Sequence, residues 1–233
     1  IRFDNVTEPP LLSLNRGFSA PIIVEASRKA GELQRLAQTD TDPFARYEAI
    51  QELMMRALTA GARGEAVDAE PVIEAIAATL RSNSLDPAFK GEAILPPSEA
   101  LIADRMTVVD PDAIHAAREA LRRSIGEALP SELLAAHRSD GASGHDLSPA
   151  AKGIRRLRSV ALGHIAAADE ARGAELAKTQ FDKGQAEGQR DTDEDEVRRV
   201  AGCREKHRVA QRPRVVLQPD DVDRERRPQV EEV

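Results

Sequence analysis

The sequence predicts a mainly α fold: irregular antiparallel helical hairpins stacked as a HEAT-like α-solenoid, preceded by a two-strand remnant of a β-sandwich. Three observations carry that expectation. Asp42-Pro43, Asp86-Pro87, Asp110-Pro111 and Ser148-Pro149 each stand just ahead of an apolar-periodic segment. Within those segments the apolar residues return every three or four positions, the period of one helix face. The composition is rich in Ala and Leu and holds only 3% aromatic residues, which suits helix on helix better than sheet on sheet.

Taken in order, Ile1 to Val6 and Ile22 to Val24 are short apolar runs with β character. They are expected to be the last strands of a truncated sandwich occupying residues 1–26. A short helix is expected over Lys29 to Ala37, with Leu33 and Leu36 inward. Asp42-Pro43 opens the next helix. An Asp side chain there can accept hydrogen bonds from the partnerless amides of the first turn, and proline just inside gives up an N–H that had no partner anyway. Phe44, Tyr47, Ile50 or Gln51, Met54 and Leu58 form its stripe. Val72, Ile73, Ile76, Ala77 and Leu80 form another. Ile114, Ala117, Leu121 and Ile125 form a third, and Ile154, Leu157, Ala161, Leu162 and Ile165 a fourth. A last helix is expected from near Ala171 toward Phe181. Gly61 to Gly64 and Asp140 to Gly144 are expected loops. The unequal spacing of the helix starts argues against a strict tandem array.

The helical domain is expected over residues 27–183, and the character then changes. From Gly184 to Val233 the chain is densely charged, has no Phe, Tyr, Ile or Met, and has Leu217 as its single Leu. Such a stretch cannot bury enough apolar surface to offset its chain entropy. Residues 184–233 are therefore expected to be a charged, disordered tail.

Little in the sequence points to chemistry. The formal charge of −7 argues against a nucleic-acid partner. Cys203 is the only cysteine, so neither a disulfide framework nor a Cys-rich zinc module is available. It reads as an ordinary free thiol. No apolar run of ~18 residues exists to span a membrane. None of His115, His137, His145, His164 and His207 lies in an H-E-x-x-H arrangement. His164, followed by Asp169 and Glu170, is a weak metal-site suggestion; a partly exposed helix histidine is the stronger reading, because ligation needs three or four converging groups. His115 is expected on a helix surface. Gly141 to Gly144 lacks the Lys of a phosphate loop, and Ser19 does not sit in a G-x-S-x-G elbow. No catalytic, cofactor-binding or metal-ligating residue is assigned.

Five stretches carry a resemblance. SLNRGFSAPIIVE, DTDPFARYEAIQELM, LDPAFKGEAILPPSEALIAD, DPDAIHAAREALR and ELAKTQFDK, in this order, are similar to the bacterial aminopeptidase N family over about Phe3 to Lys183. Arg16 to Pro21, Leu85 to Phe89 and Pro97 to Glu99 are its most specific elements. Asn15, Tyr47 and Pro96 depart from the family's usual residues. The family consists of cytoplasmic zinc aminopeptidases with an N-terminal β domain, a thermolysin-like catalytic domain, a small β-sandwich and a C-terminal helical domain that closes over the active site. The resemblance implies that this chain begins in the last strands of the sandwich and continues into the helical domain, and the start at Ile1 rather than Met agrees. It implies zinc and peptide substrates for the parent enzyme, and the upstream β and catalytic domains as partners. Neither H-E-x-x-H nor G-x-M-E-N occurs in this sequence, so no catalytic or metal residue is carried over and the chain alone is expected to be inactive. The break after Lys183 reads as a frameshift or join near Gly184, with an authentic divergent tail as the alternative. The competing functional reading is a stand-alone HEAT-like scaffold for protein–protein interaction.

Overall fold

A computed structural model describes residues 10–22, 28–139 and 146–184. They fall within a unit that ends at Gln185; a second unit, Ala186–Val233, lies outside the described residues. After a single 3-10 turn at Arg16–Phe18, the elements are α1 (Ala30–Thr39), α2 (Pro43–Ala62), α3 (Glu70–Arg81), α4 (Pro87–Ala93), α5 (Glu99–Ala103), α6 (Pro111–Ala128), α7 (Pro130–His137) and α8 (Pro149–Ala168). A further helix, α9, covers 170–184. Among the described residues there is no strand. The strands expected at Ile1–Val6 and Ile22–Val24 lie, apart from Ile22, outside them, as do the Asp140–Gly144 loop and residues 185–233.

All four expected starts form as capped helices. Asp42 Oδ1 accepts from the Ala45 amide at 2.8 Å, Asp86 from Phe89 at 2.9 Å, Asp110 from Ala113 at 3.1 Å, and Ser148 Oγ from Ala151 at 3.2 Å. Each cap is followed by its proline as the first helical residue. Such a cap is worth about 1 kcal/mol. At α1 the Glu32 carboxylate turns back to the Lys29 amide at 2.9 Å, one half of a capping box. Asp169 ends α8 and also opens α9, accepting from the Arg172 amide at 2.9 Å.

Three local features were not in the sequence expectation. Ser98 caps the short α5 through the Leu101 amide at 3.3 Å. The chain turns from α6 to α7 at Leu129, and Pro130 starts α7 without a side-chain cap. The loop expected at Gly61–Gly64 begins late: α2 runs on through Gly61 to Ala62, and the turn comes at Gly64, with φ 73°. Gly61 stays helical because α6 crosses there. A Cβ on it would lie 3.1 Å from Ala117 Cβ.

The stripes point inward as expected. Leu33 and Leu36 of α1, Ile50, Met54 and Leu58 of α2, and Val72 and Ile76 of α3 are buried in one core with Ile114, Leu121 and Ile125 of α6 and Leu157, Ala161 and Ile165 of α8. α8 is the hub, with α4, α6 and α7 packed on it. α4 lies parallel to α8, since Ala88 meets Gly153, Gly91 meets Leu157, and Ile94 meets His164. At Gly126 of α6 the approach is closest, because an added Cβ would sit 2.3 Å from the His164 carbonyl oxygen. Arg122 of α6 donates to the Gly163 carbonyl at 2.8 Å, and Arg156 of α8 pairs with Glu92 of α4 at 2.6 Å. Polar side chains also tie off helix ends. Lys90 Nζ reaches back to the Leu80 carbonyl near the end of α3 at 3.0 Å, and Gln51 Nε2 donates to the Leu95 carbonyl at 3.2 Å. Arg158 donates to the Ser139 carbonyl from both Nε and Nη2, holding the end of α7 to α8.

Two glycines give opposite predictions. Gly126→Ala should overpack the α6–α8 contact and destabilise the chain by about 2 kcal/mol. Gly31→Ala, in α1 with no atom within 4 Å of the added Cβ, should stabilise it by about 0.5 kcal/mol through helix propensity and a less flexible unfolded chain. Urea unfolding of both variants checks this; a Gly126→Ala midpoint equal to wild type would contradict the packing described.

Candidate functional site

The residues ahead of α1 form a strap that is fastened to the α1–α2 junction. Three consecutive junction residues hold it. Asp40 receives Arg16 Nη1 at 2.6 Å, Thr41 Oγ1 receives Arg16 Nη2 at 2.8 Å, and Asp42 Oδ2 receives the Gly17 amide at 3.0 Å. Asp40 also takes the Asp42 amide at 2.8 Å. The Phe18 ring packs on Phe44, the second residue of α2, at a centroid distance of 5.1 Å and a tilt of 55°. The strap takes a tight path, with positive φ at Asn15 (50°), Gly17 (63°) and Phe18 (51°). Asn15 steadies it by accepting from the Ala20 amide at 3.1 Å and the Ser19 hydroxyl at 3.2 Å.

The Asp40 side chain is 3% exposed, while Arg16 remains 47% exposed. Burial acts to raise the Asp40 carboxyl, but hydrogen bonds from Ser13, the Asp42 amide and Arg16, with the Arg16 charge, hold it below its ordinary value. Arg46 of α2 is buried nearby and its Nε has no hydrogen-bond partner; burial lowers its pKa, and the charge on Asp40 opposes that.

Between the strap, α1, α2 and α5 lies a groove of about 1060 Å³. Its apolar wall comes from Leu14, Phe18 and Ile22 of the strap, Leu33 and Leu36 of α1, and Phe44, Tyr47 and Met55 of α2. Its charged side carries Glu48, Glu52 and Arg56 of α2, with Arg28 and Arg105. Arg56 Nε binds Glu52 at 2.8 Å, and its Nη1 binds the Arg28 carbonyl at 2.8 Å. Burial raises the Glu48 carboxyl, helped by Glu52 and opposed by Arg105. Burial also raises the Tyr47 hydroxyl, with Glu48 and Glu92 adding to it. No His or Cys is among the described lining residues. The groove has the make-up of a contact surface, an aromatic wall with a paired-charge rim.

The structure places the histidines apart. His115 is exposed on α6, its Nδ1 2.8 Å from Glu99 Oε1, in keeping with the expected surface role. His137 is partly buried, with Nδ1 3.4 Å from the Arg158 carbonyl. His145 and His207 lie outside the described residues, as does Cys203. His164 corrects the sequence reading: it is 1% exposed, not partly exposed. Its Nε2 donates to the Ile94 carbonyl at 3.0 Å, and its Nδ1 has no hydrogen-bond partner. Nothing local predicts that burial, because it arises where α4 and α6 close on α8. Asp169, suggested with it for a metal, is occupied as the α9 cap. Among the described residues no group of three or more His, Cys, Asp or Glu could hold a metal ion. Ser19 is exposed on the strap, spent on Asn15. No described helix is long and apolar enough to cross a membrane.

Residues 30–190 match the family described as Domain of unknown function (DUF3458_C) ARM repeats. The chain belongs to that family. ARM repeats are stacked helical units, in agreement with the solenoid expected from the sequence. The match runs past Lys183, where the sequence resemblance was placed to end. Aminopeptidase N of Caulobacter vibrioides is 34% identical over 171 residues, covering 72% of this chain and 20% of that protein. Aminopeptidase N of Escherichia coli is 30% identical over 169 residues, covering 70% and 19%. Among solved structures, Legionella pneumophila aminopeptidase A in complex with aspartic acid matches with a TM-score of 0.66 and 25% identity, over 77% of this chain and 22% of that one. The resemblance to the aminopeptidase N family is thus borne out. The chain spans about a fifth of the length of the curated relatives it matches.

The clasp is what sequence reasoning missed. Its signal was present, since Arg16 to Phe18 and Asp40 to Phe44 lie in two of the five stretches that carry the resemblance, but their meeting is not local.

His164 yields a pH prediction. Burial lowers its pKa from the ordinary 6.5; the Ile94 and Arg122 backbone favours the charged ring without outweighing burial, and the Arg122 and Arg118 charges lower the pKa further. The unfolded chain therefore takes up a proton in a range where the folded chain does not, and stability falls as pH drops below 6.5. Gln at 164 can still donate to Ile94 but cannot titrate. The loss of stability between pH 7 and pH 5, read from urea midpoints, should be smaller in His164→Gln than in wild type. His137, also lowered by burial, supplies a remainder common to both. Identical pH profiles would sink this account.

Proposed function

We propose that this chain is the helical region of an aminopeptidase N-like zinc metallopeptidase that hydrolyses N-terminal residues from peptides, and that its own contribution is structural. The observation that supports this most is the clasp. Two of the stretches that resemble the family, far apart in sequence, are joined by the same few side chains, as a junction between domains requires. On this reading residues 1–26 are the end of a β-sandwich, 27–183 the first part of the helical domain, and 184–233 a charged tail. The partners are the β and catalytic domains of the same parent chain, peptides are the parent's substrates, and the setting is the cytoplasm. The groove would face those domains.

Zinc belongs to this reading through the parent enzyme. The described residues offer no ligand set for it, so no step of the reaction is assigned to this chain. The role left to it is to fasten the β-sandwich end to the helices and to help exclude water from the neighbouring site.

A chimera tests the proposal. In the Caulobacter vibrioides relative, the matching 171 residues are exchanged for the corresponding part of this chain. The chimera should fold and retain aminopeptidase activity, whereas the isolated chain should release no N-terminal residue with or without added zinc. A folded chimera that has lost activity counts against the proposal, and so does zinc-dependent hydrolysis by the isolated chain.

A further inference from the structure

Asp42 uses its two carboxylate oxygens on two different elements. Oδ1 accepts from the Ala45 amide at 2.8 Å and closes the first turn of α2. Oδ2 accepts from the Gly17 amide at 3.0 Å, twenty-five residues earlier in the chain. The other polar ties from the strap to the helices end on its two neighbours, with Arg16 on Asp40 and on Thr41. The 3-10 turn of the strap packs on α2 alone among the helices. Its backbone is also strained. Asn15 and Phe18, neither of them glycine, hold φ at 50° and 51°; Asn adopts this conformation with ease, but for the bulky Phe18 it is strained and persists only where surroundings enforce it. What enforces it here is the docking itself: Asp42 on Gly17, Asp40 and Thr41 on Arg16, and Phe44 on Phe18.

We propose that Asp42 is a latch that couples the docked strap to the first turn of α2, so that the strap docks and leaves as one unit and its release opens the groove. Released, the strap relaxes its strained turn, while Asp40 loses the Arg16 charge that offsets its burial. Docked, it supplies the Leu14, Phe18 and Ile22 wall of the groove, residues that are 40%, 56% and 59% exposed. With that wall gone, Tyr47 is left on an open shelf between α1 and α5. The latch is a conformational device of this fold and does not depend on the peptidase reading.

The chain carries one Tyr and no Trp, so its intrinsic emission comes from Tyr47 alone, at the groove. Two variants test the latch in the full chain. Asp42→Asn leaves one oxygen where two are needed. Because Asn caps a helix as well as Asp, the cap should survive and the Gly17 contact should go. Arg16→Gln unfastens the strap without touching α2. Both variants should show roughly twofold stronger acrylamide quenching of Tyr47 than wild type. Hydrogen exchange of residues 13–22 should be at least tenfold faster in both. In Arg16→Gln, exchange at 44–48 should also rise, because the latch joins the two. Peptides from α6 to α8 should keep wild-type protection in both variants and so report an intact fold. Wild-type quenching and exchange in Asp42→Asn would overturn the proposal. So would an Arg16→Gln variant whose strap exchanges faster while residues 44–48 do not change. If Asp42→Asn loses protection throughout, Arg16→Gln decides alone.

Discussion

Close backbone approach to α8 is the constraint on which the rest of the helical unit depends. α4 reaches it where Ala88 meets Gly153, and α6 where Gly126 meets the His164 carbonyl. No side chain longer than hydrogen fits at these points, and that is why the polar contacts around them can form. His164 can reach the Ile94 carbonyl and Arg122 the Gly163 carbonyl only because the helices already lie this near. Buried polar groups need such partners. The glycines thus do for the backbone what the Leu and Ile stripes do for the side chains: they set the spacing at which both hydrophobic and polar contacts are made. The same closeness leaves His164 Nδ1 without a partner.

How much of this could be read in the sequence follows from how local each cause is. The Asp-Pro and Ser-Pro starts are chemistry within four residues, and all four formed. The apolar stripes are a property of one helix, and they point as expected. Gly61-Ala-Arg-Gly64 reads as a loop because two glycines three residues apart weaken a helix in isolation; packing against Ala117 of α6 keeps Gly61 helical. α5 and α7 are only 5 and 8 residues long, too short for periodicity to show. His164 differs from its sequence expectation for the same reason as Gly61. Its burial comes from α4 and α6, and nothing within its own turn reveals them.

The clasp lies between these cases. Asp42 was recognised as a cap, which is its local role. Its second role, toward Gly17, joins residues that only the fold brings together, as does the pairing of Arg16 with Asp40. A family resemblance marks both stretches without saying that they touch. The DUF3458_C match and the aminopeptidase relatives place the helical unit in its family. The contacts give the run ahead of α1 a physical reason to be among the stretches that carry the resemblance: a turn with three left-handed residues needs particular partners, and Asp40, Thr41, Asp42 and Phe44 are those partners.

Lys90 carries a consequence of another kind. The end of α3 has no capping side chain of its own from the turn that follows, and the carbonyl of Leu80 is met by a lysine that belongs to the next helix. α3 is thus finished by a residue ten positions later, one that can arrive only when α4 has formed and docked. The last turn of α3 is therefore coupled to the docking of α4. The two helices mature together, and a chain halted between them, as during synthesis, would carry an α3 that frays at its last turn until α4 is in place.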